Sequence, residues 1–262
     1  MFTQSSVLST QSCAGVGMTQ KLPIFPLNMV LFPGAPIQLH IFEERYRLMI
    51  GRCLEQSSPF GVALIRSGSE VSPDDPWVRR QLELADAADE LALGALKREL
   101  GGETVPHSVG TTAQISVGES VRLSDGRYYL VASGQRRFRI QYFVQRQPYL
   151  IASVAYLPEE SSAAVAEPAQ QLRQLYARYW AAISAATGYE APDETLPEHV
   201  VDLTYWMANR LQVGNLQKQR WLEADITTRL REISAAIRAE LALLPAAEPG
   251  EHEGGSGSGS WN

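Results

Sequence analysis

The spacing of apolar residues changes near residue 160 of this 262-residue chain, and this change constrains the fold more than any other feature of the sequence. Before residue 160, apolar and polar residues alternate in short runs, as at Ile37, Leu39 and Ile41. Alternation with a period of two is typical of half-buried β-strands. After residue 160, apolar residues recur every three or four positions, which is typical of amphipathic helices. We therefore predict an α+β protein, with its strands first and its helices second.

The first part of the chain is predicted to contain about six short strands, which is the number and spacing expected of a small closed or half-closed β-barrel. The strand-like runs lie at residues 37–41, 60–65, 112–117, 128–133, 137–140 and 149–156. The dipeptide Asp125-Gly126 predicts a hairpin turn, because both residues tolerate positive φ. Apolar residues at helical spacing in 43–54 predict one helix embedded among the strands.

The second part of the chain is predicted to form three helices. The first covers about 167–186 and ends at Gly188, and the second runs from near Pro197 to Gly214. The third is the longest and has Asp225 as its N-cap, because a short carboxylate can accept hydrogen bonds from the free N–H groups of a first turn. We expect these helices to form one bundle packed against the barrel.

Composition divides the chain into four parts. Residues 1–20 are rich in Ser, Thr, Gln and Gly, and residues 245–262 include a Gly/Ser repeat, so both are predicted to be disordered tails. Between them, we expect a barrel subdomain at 21–158 and a helical bundle subdomain at 159–244. No run of apolar residues is long enough to span a bilayer, and the first residues lack the pattern of a secretory signal. We therefore expect a cytoplasmic protein.

Several kinds of chemistry have no sequence signature here. The three lysines do not lie in the Gly-Lys-Ser or Gly-Lys-Thr loop of an ATPase, and no Gly-x-Ser-x-Gly elbow is present. The four histidines are scattered without the spacing of metal ligands. The net charge of −6 argues against general nucleic-acid binding, which depends on neutralising phosphates. We expect no catalytic residue, no metal and no cofactor.

Several segments, in their order along the chain, are similar to the Lon protease N-terminal domain. They are Leu22-Pro23-Ile24-Phe25-Pro26-Leu27, Val30-Leu31-Phe32-Pro33-Gly34, Leu39 to Met49, Phe60 to Ile65, and Gly134 followed by Arg137-Phe138-Arg139-Ile140. The chain resembles this substrate-binding domain family over about residues 20–244. The resemblance implies a PUA-like β-barrel followed by a helical bundle. It also implies a freestanding binding module, because the ATPase and peptidase that follow this domain in Lon proteases are not in the sequence.

The segment 68–108 looks like an insertion relative to the family. Its middle carries leucines among acidic residues, so part of it is predicted to be helical. A long loop with its own structure is often functional. The alternative is a solvated flap that caps the barrel, because loops tolerate insertions at little cost in stability.

Four apolar residues of the resembling motifs are candidates for contact with unfolded polypeptide, since such segments are recognised through exposed hydrophobic surface. They are Phe32, Pro33, Phe42 and Tyr46. The alternative for each of them is core packing.

Three charged residues, Glu43, Arg45 and Arg137, lie among strongly apolar neighbours in the sequence. A desolvated charge without a partner is costly. We therefore predict an internal ion pair of Glu43 with Arg137 or Arg45, which would tie the first helix to the barrel.

The function expected from the resemblance is binding of unfolded or tagged polypeptide, with delivery to a separate protease or chaperone in protein quality control. The alternative is an RNA-binding protein, because PUA-like barrels serve nucleic acid elsewhere, with Arg136, Arg137 and Arg139 as its basic patch. An enzyme would need a constellation of residues brought together from distant positions.

Overall fold

The computed structural model describes residues 19–70, 103–160, 163–189 and 195–243, together with Pro76 and Arg80. The described residues form a mainly antiparallel sheet and five α-helices, so the predicted mixture of α and β structure is confirmed. The strands are β1 (Gln20–Leu27), β2 (Pro36–Ile41), β3 (Phe60–Ser67), β4 (Val105–Pro106), β5 (Val109–Arg122), β6 (Tyr128–Gln145) and β7 (Leu150–Tyr156). The helices are α1 (Glu44–Glu55), α2 (Ala166–Thr187), α3 (Val200–Arg210), α4 (Asn215–Glu223) and α5 (Ile226–Leu243).

Some predictions fall outside the described residues. These are the C-terminal tail at 245–262, most of the N-terminal tail at 1–20, and most of the insertion at 68–108. Gln20, which the prediction placed in the N-terminal tail, is the first residue of β1. None of the described helices combines the length and the apolar character that a membrane-spanning helix requires.

Five of the strands pair in a closed cycle. β1 pairs with β7, β7 with β6, β6 with β5, and β5 with β3, all antiparallel, and β3 returns to β1 in a parallel pairing. β2 adds to β6, and β4 adds to β3. Strands of this cycle contribute a buried cluster of Leu22, Ile24, Ala63, Phe138, Ala152 and Val154.

β1 was not among the predicted strands, because Pro23 and Pro26 interrupt its pattern. Proline lacks the N–H that a strand donates to its neighbour, so it is normally confined to positions with an unpaired side. β1 meets this condition: residues 20–24 pair with β7, whereas residues 24–27 pair with β3. Apart from Ile24, each residue of β1 therefore has a partner strand on one side only.

β6 is one strand of 18 residues, whereas two separate strands were predicted within it, at 128–133 and 137–140. Gly134 joins the two parts. A Cβ atom at this position would lie 2.2 Å from the carbonyl oxygen of Phe32, so only glycine allows the backbone this approach. The contact is fixed by hydrogen bonds, since Gly34 donates to the Gly134 carbonyl and Gly134 donates to the Ala35 carbonyl, each over 2.9 Å.

The boundaries of two helices confirm predictions made from single residues. Gly188 caps α2 with φ of +73°, a left-handed conformation that favours glycine. Asp225 Oδ1 accepts a hydrogen bond of 2.9 Å from the backbone N–H of Thr228 at the start of α5, and this bond lowers the pKa of Asp225. The second predicted helix, from near Pro197 to Gly214, was wrong in extent, because α3 begins at Val200 and ends at Arg210. α4, which begins directly after Gly214, was not predicted.

The chain divides into two compact units. The first contains the residues up to Glu160 and Tyr205–Ala224, and the second contains Ser161–Thr204 and the residues from Asp225 onwards. In the second unit, α2 packs against α5, and the Tyr179 hydroxyl donates a 2.5 Å hydrogen bond to Glu240. These units do not coincide with the predicted division at residue 158, which stays a prediction about independently folding parts.

Candidate functional site

A cavity of about 310 Å³ opens along β2 in the first unit, and we call it the β2 groove. Its walls come from the end of β1 and the turn after it, from β2, from the start of α1, and from Glu70, which follows β3. The lining residues are Phe25, Leu27, Met29, Gln38, Leu39, His40, Ile41, Phe42, Glu43, Tyr46 and Glu70. Its volume falls at the lower end of the range of ligand pockets and suits a single large side chain.

The floor of the groove is aromatic, and its rim is apolar and more exposed. The rings of Phe25 and Tyr46 lie 4.2 Å apart, and both residues are buried. At the rim, Met29 is 39% exposed, while Leu39 and Phe42 are half-buried. The groove therefore offers accessible apolar surface above a packed base, which is how apolar side chains of a partner are commonly held.

Charged groups flank this apolar surface. Arg45 Nε lies 3.0 Å from Glu43 Oε2, and the Arg45 guanidinium lies over the Tyr46 ring at 4.5 Å from its centroid. The Glu70 carboxylate accepts a 3.4 Å hydrogen bond from the backbone N–H of Asn28, and the Glu70 carbonyl accepts one of 3.3 Å from Arg45. One arginine thus holds together the start of α1 and the loop that follows β3.

Burial shifts the pKa of two groups in the groove. Burial raises the pKa of Tyr46 well above its usual value, the nearby Arg45 opposes this rise, and Glu43 and Glu70 add to it. The Tyr46 phenol is therefore neutral at physiological pH. Burial also raises the pKa of Glu70, against the opposing effect of the hydrogen bond from Asn28. The Glu70 carboxylate is held in an environment that favours its neutral form.

The structure separates the four residues predicted to contact polypeptide. Phe42 and Tyr46 line the β2 groove, with Tyr46 in its base and Phe42 closer to solvent. Phe32 is fully buried, with its ring 6.0 Å from that of Tyr205, so it belongs to the core. Pro33 is half-buried beside it and does not line the groove.

Of the two ion pairs predicted for Glu43, the structure shows the one with Arg45, two residues along the chain. The pair with Arg137 is not formed, because Arg137 on β6 forms an ion pair with Glu159. Arg137 donates three further hydrogen bonds, of 2.6 Å to the Leu222 carbonyl, 2.9 Å to the Ala224 carbonyl and 3.5 Å to the Pro158 carbonyl.

Arg137 therefore binds the C-terminal end of α4, where the free carbonyls favour a cation. A second contact joins α4 to the sheet, because Gln219 donates a 3.0 Å hydrogen bond to the Val109 carbonyl. Arg137 fixes α4 to the sheet and takes no part in the groove.

Sequence reasoning missed Met29, Leu39 and Glu70 as groove residues. Leu39 was assigned to the inward face of β2 with its neighbours, but it is half-buried where Ile37 and Ile41 are fully buried. Met29 stands between two proline-containing motifs without any periodic pattern, and Glu70 lies at the start of the predicted insertion. A methionine in a short turn is the one signal that could have marked this surface, because flexible thioether side chains are common at adaptable binding sites.

Within the ranges that the structure describes, no group of three or more His, Cys, Asp or Glu side chains is arranged to hold a metal ion. The groove contains apolar groups, two carboxylates and an imidazole. Its contents are suited to binding a ligand that has both apolar and polar parts.

Comparison with known proteins places this geometry in a family. The family model of the ATP-dependent protease La (LON) substrate-binding domain matches residues 21–238. Lon protease 2 of Myxococcus xanthus is 25% identical over 233 residues, which cover 86% of this chain and 24% of that protease. The chain thus spans about a quarter of the length of this relative.

Two solved structures share the fold. A Lon N-terminal domain protein from Xanthomonas campestris has a TM-score of 0.51 at 23% identity, covering 86% of this chain and 99% of that one. The N-terminal domain of a Mycobacterium avium complex Lon protease also has a TM-score of 0.51, at 16% identity, covering 84% and 98%. With a family model that matches most of its length, this chain belongs to the LON substrate-binding domain family.

Proposed function

We propose that this protein is a non-catalytic module that binds unfolded or tagged polypeptide, with the β2 groove as the site for an apolar side chain. The observation that carries this proposal is the accessible apolar rim of Met29, Leu39 and Phe42 above a buried aromatic base. Membership of a substrate-binding domain family supports it. A single exposed hydrophobic residue needs no explanation, but a cavity lined by an exposed Met29 and the half-buried Leu39 and Phe42 indicates a binding site.

We further propose that the closed cycle of five strands is a PUA-like β-barrel. Each strand of the cycle pairs with the next, so the cycle has no free edge of its own. β2 lies outside the cycle as an added strand, which leaves room for a site between it and the end of β1. The partners that we propose are a separate protease or chaperone, in protein quality control, and the proposed location is the cytoplasm.

The test uses two matched substitutions in the full chain. Met29 lines the groove and is 39% exposed, whereas Leu48 on α1 does not line it and is 42% exposed. Binding of a fluorescently labelled, reduced and carboxymethylated lactalbumin is measured by anisotropy for the wild type, Met29→Asp and Leu48→Asp. We expect Met29→Asp to weaken binding by about 10-fold or more, because a carboxylate replaces an apolar side chain that the bound polypeptide would cover. Leu48→Asp should change it by less than about 2-fold.

Equal effects of the two substitutions, or no binding by the wild type, would contradict the proposal. The RNA-binding alternative is tested by the same anisotropy measurement with a labelled RNA in place of lactalbumin. Binding of that RNA with an affinity that falls steeply with salt would support the alternative. The structure favours it less than the sequence did, because the Arg137 guanidinium is buried and bonded to Glu159 and to three backbone carbonyls.

A further inference from the structure

β2 is an edge strand within the described ranges of the chain, where its pairing partner is β6 alone. The Ala35 carbonyl accepts a hydrogen bond of 2.9 Å from Gly134 on β6. Backbone groups of alternate residues in a strand point to the same side, so Ile37 and Leu39 also direct theirs to β6. Gln38 and His40 therefore direct their N–H and C=O groups away from β6. Pro36, which has no N–H to offer, occupies the same register, as prolines at sheet edges do.

The β2 groove follows this edge. Successive side chains of a strand point to opposite faces of the sheet, so a cavity on one face is lined by every second residue. The groove is instead lined by the four consecutive residues from Gln38 to Ile41. A cavity reaches consecutive residues only where it runs along the edge of the strand. The apolar rim and the outward-directed backbone groups thus belong to one surface.

The charges of this surface determine which side chains fit it. Glu43 is 5% exposed and already paired with Arg45. Glu70 lines the groove at its other end, is half-buried, and accepts a backbone hydrogen bond from Asn28 in place of a contact with a cation. Among the lining residues that the structure describes, Glu70 is the carboxylate that a cation of a bound molecule can approach. Burial raises its pKa, and an approaching cation would reverse that effect.

We infer that polypeptide binds here as an extended strand added to the free edge of β2, with an apolar side chain in the groove and a neighbouring lysine or arginine at Glu70. This inference rests on the proposed function and specifies its substrate and its binding mode. Main-chain hydrogen bonds to Gln38 and His40 provide affinity without regard to sequence, and the groove and Glu70 provide selectivity. Such a site selects extended, apolar and basic segments, which are exposed when a protein unfolds.

The first test uses labelled peptides of about ten residues, long enough to form a strand, in which a central leucine is flanked by lysines. Two versions are N-methylated, each at one of the two alternating sets of amides. A strand that adds to an edge uses only one set, so we expect one version to bind at least about 10-fold more weakly and the other to bind like the parent. A third version with glutamates in place of the lysines should bind more weakly than the parent.

The second test changes the protein, with a matched control at each site. Gln38→Pro removes one outward N–H at an exposed edge position and should weaken binding of the lysine peptide by about 3- to 10-fold, whereas Gln38→Ala keeps the N–H and should have little effect. Glu70→Gln should weaken binding of the lysine peptide by about 3-fold and should not weaken binding of the glutamate peptide. Glu44→Gln, an exposed carboxylate outside the groove, is its control.

Failure of this inference is distinguishable from failure of the proposed function. If lactalbumin binds but the lysine peptide does not, or if both N-methylated versions bind equally, strand addition is wrong and polypeptide binding stands. If Gln38→Pro and Gln38→Ala bind alike, strand addition is also wrong. If neither lactalbumin nor any peptide binds the wild type, the proposed function fails and this inference fails with it.

Discussion

Two clusters in the first unit are built from the same three residue types, a glutamate, an arginine and a tyrosine. Beside the β2 groove they are Glu43, Arg45 and Tyr46, and at the end of α4 they are Glu159, Arg137 and Tyr205. The exposures are reversed between the two. In the groove the arginine is 27% exposed and the glutamate 5%, whereas at α4 the arginine is 5% exposed and the glutamate 27%.

This reversal separates a structural cluster from a binding surface. A buried guanidinium is costly without partners, and Arg137 has an ion pair with Glu159 and hydrogen bonds to the Pro158 carbonyl and to the carbonyls at the end of α4. Arg45 keeps part of its guanidinium in water and lies over the Tyr46 ring, so its environment can change without leaving a buried charge unpaired. The closed cluster fixes a helix, and the open cluster leaves a surface available to a partner.

The largest expected effect is that of Arg137→Met. This substitution removes a buried cation together with its ion pair to Glu159 and the hydrogen bonds that it donates to the Leu222 and Ala224 carbonyls. We expect the free energy of unfolding to fall by about 3 kcal/mol, measured by chemical denaturation. The control is Arg139→Met, at an exposed position two residues along β6, which should cost less than about 0.5 kcal/mol. Similar losses for both variants would show that the Arg137 contacts contribute little to stability.

A smaller effect is expected for the equivalent change in the groove. Glu43→Gln weakens the pair with Arg45, but water can replace the lost partner because Arg45 is partly exposed. We expect the free energy of unfolding to fall by about 1 kcal/mol. Glu44→Gln, at the neighbouring exposed position, is the control and should cost less than about 0.5 kcal/mol. A loss as large as that of Arg137→Met would contradict the distinction between a closed and an open cluster.

Removing the hydroxyl of the tyrosine should also destabilise the cluster at α4 more than the cluster at the groove. Tyr205 donates its hydroxyl to Glu159, whereas Tyr46 contributes through its ring, which contacts Phe25 at 4.2 Å and Arg45 at 4.5 Å. We expect Tyr205→Phe to lower the free energy of unfolding by about 1 kcal/mol and Tyr46→Phe to lower it by less than about 0.5 kcal/mol. Thermal unfolding followed by circular dichroism distinguishes the two. The reverse order would show that the hydroxyl of Tyr46 has a structural role of its own.

The sequence predicted those elements whose signals are local. Alternation identified β2, a continuous apolar run identified β3, and single capping residues placed the end of α2 at Gly188 and the start of α5 after Asp225. β1 was missed because its two prolines are tolerated only where a strand has one partner, and the identity of that partner is a non-local fact. β6 was divided because the sequence does not show that Gly134 packs against the Phe32 carbonyl.

The candidate site was predicted less completely for the same reason. Phe42 and Tyr46 were chosen with Phe32 and Pro33 because all four are apolar residues of the same motifs. What separates them is the cavity, which depends on where β2 lies relative to the end of β1. The pairing of Arg137 also depends on a long-range contact, since its partners Leu222 and Ala224 are more than 80 residues away. Charge and hydrophobicity indicate that a residue needs a partner, but only the fold identifies that partner.

The smallest expected effect has the opposite sign and concerns Glu70. Burial raises its pKa in the folded protein, so its charged form makes folding less favourable at neutral pH. That penalty is fully present above the folded pKa and is relieved as the pH falls through it towards the unfolded value. We therefore expect Glu70→Gln to be more stable than the wild type at pH 7. The difference should be no more than about 0.5 kcal/mol, because solvent screens a half-exposed carboxylate. Near pH 3 we expect the variant and the wild type to be equally stable. Urea denaturation at both pH values measures the difference. A carboxylate whose charge destabilises the fold is expected at a binding surface and not in a structural cluster. If Glu70 instead stabilised the fold at pH 7, it would be a structural carboxylate like Glu159, and its assignment to the binding surface would be contradicted.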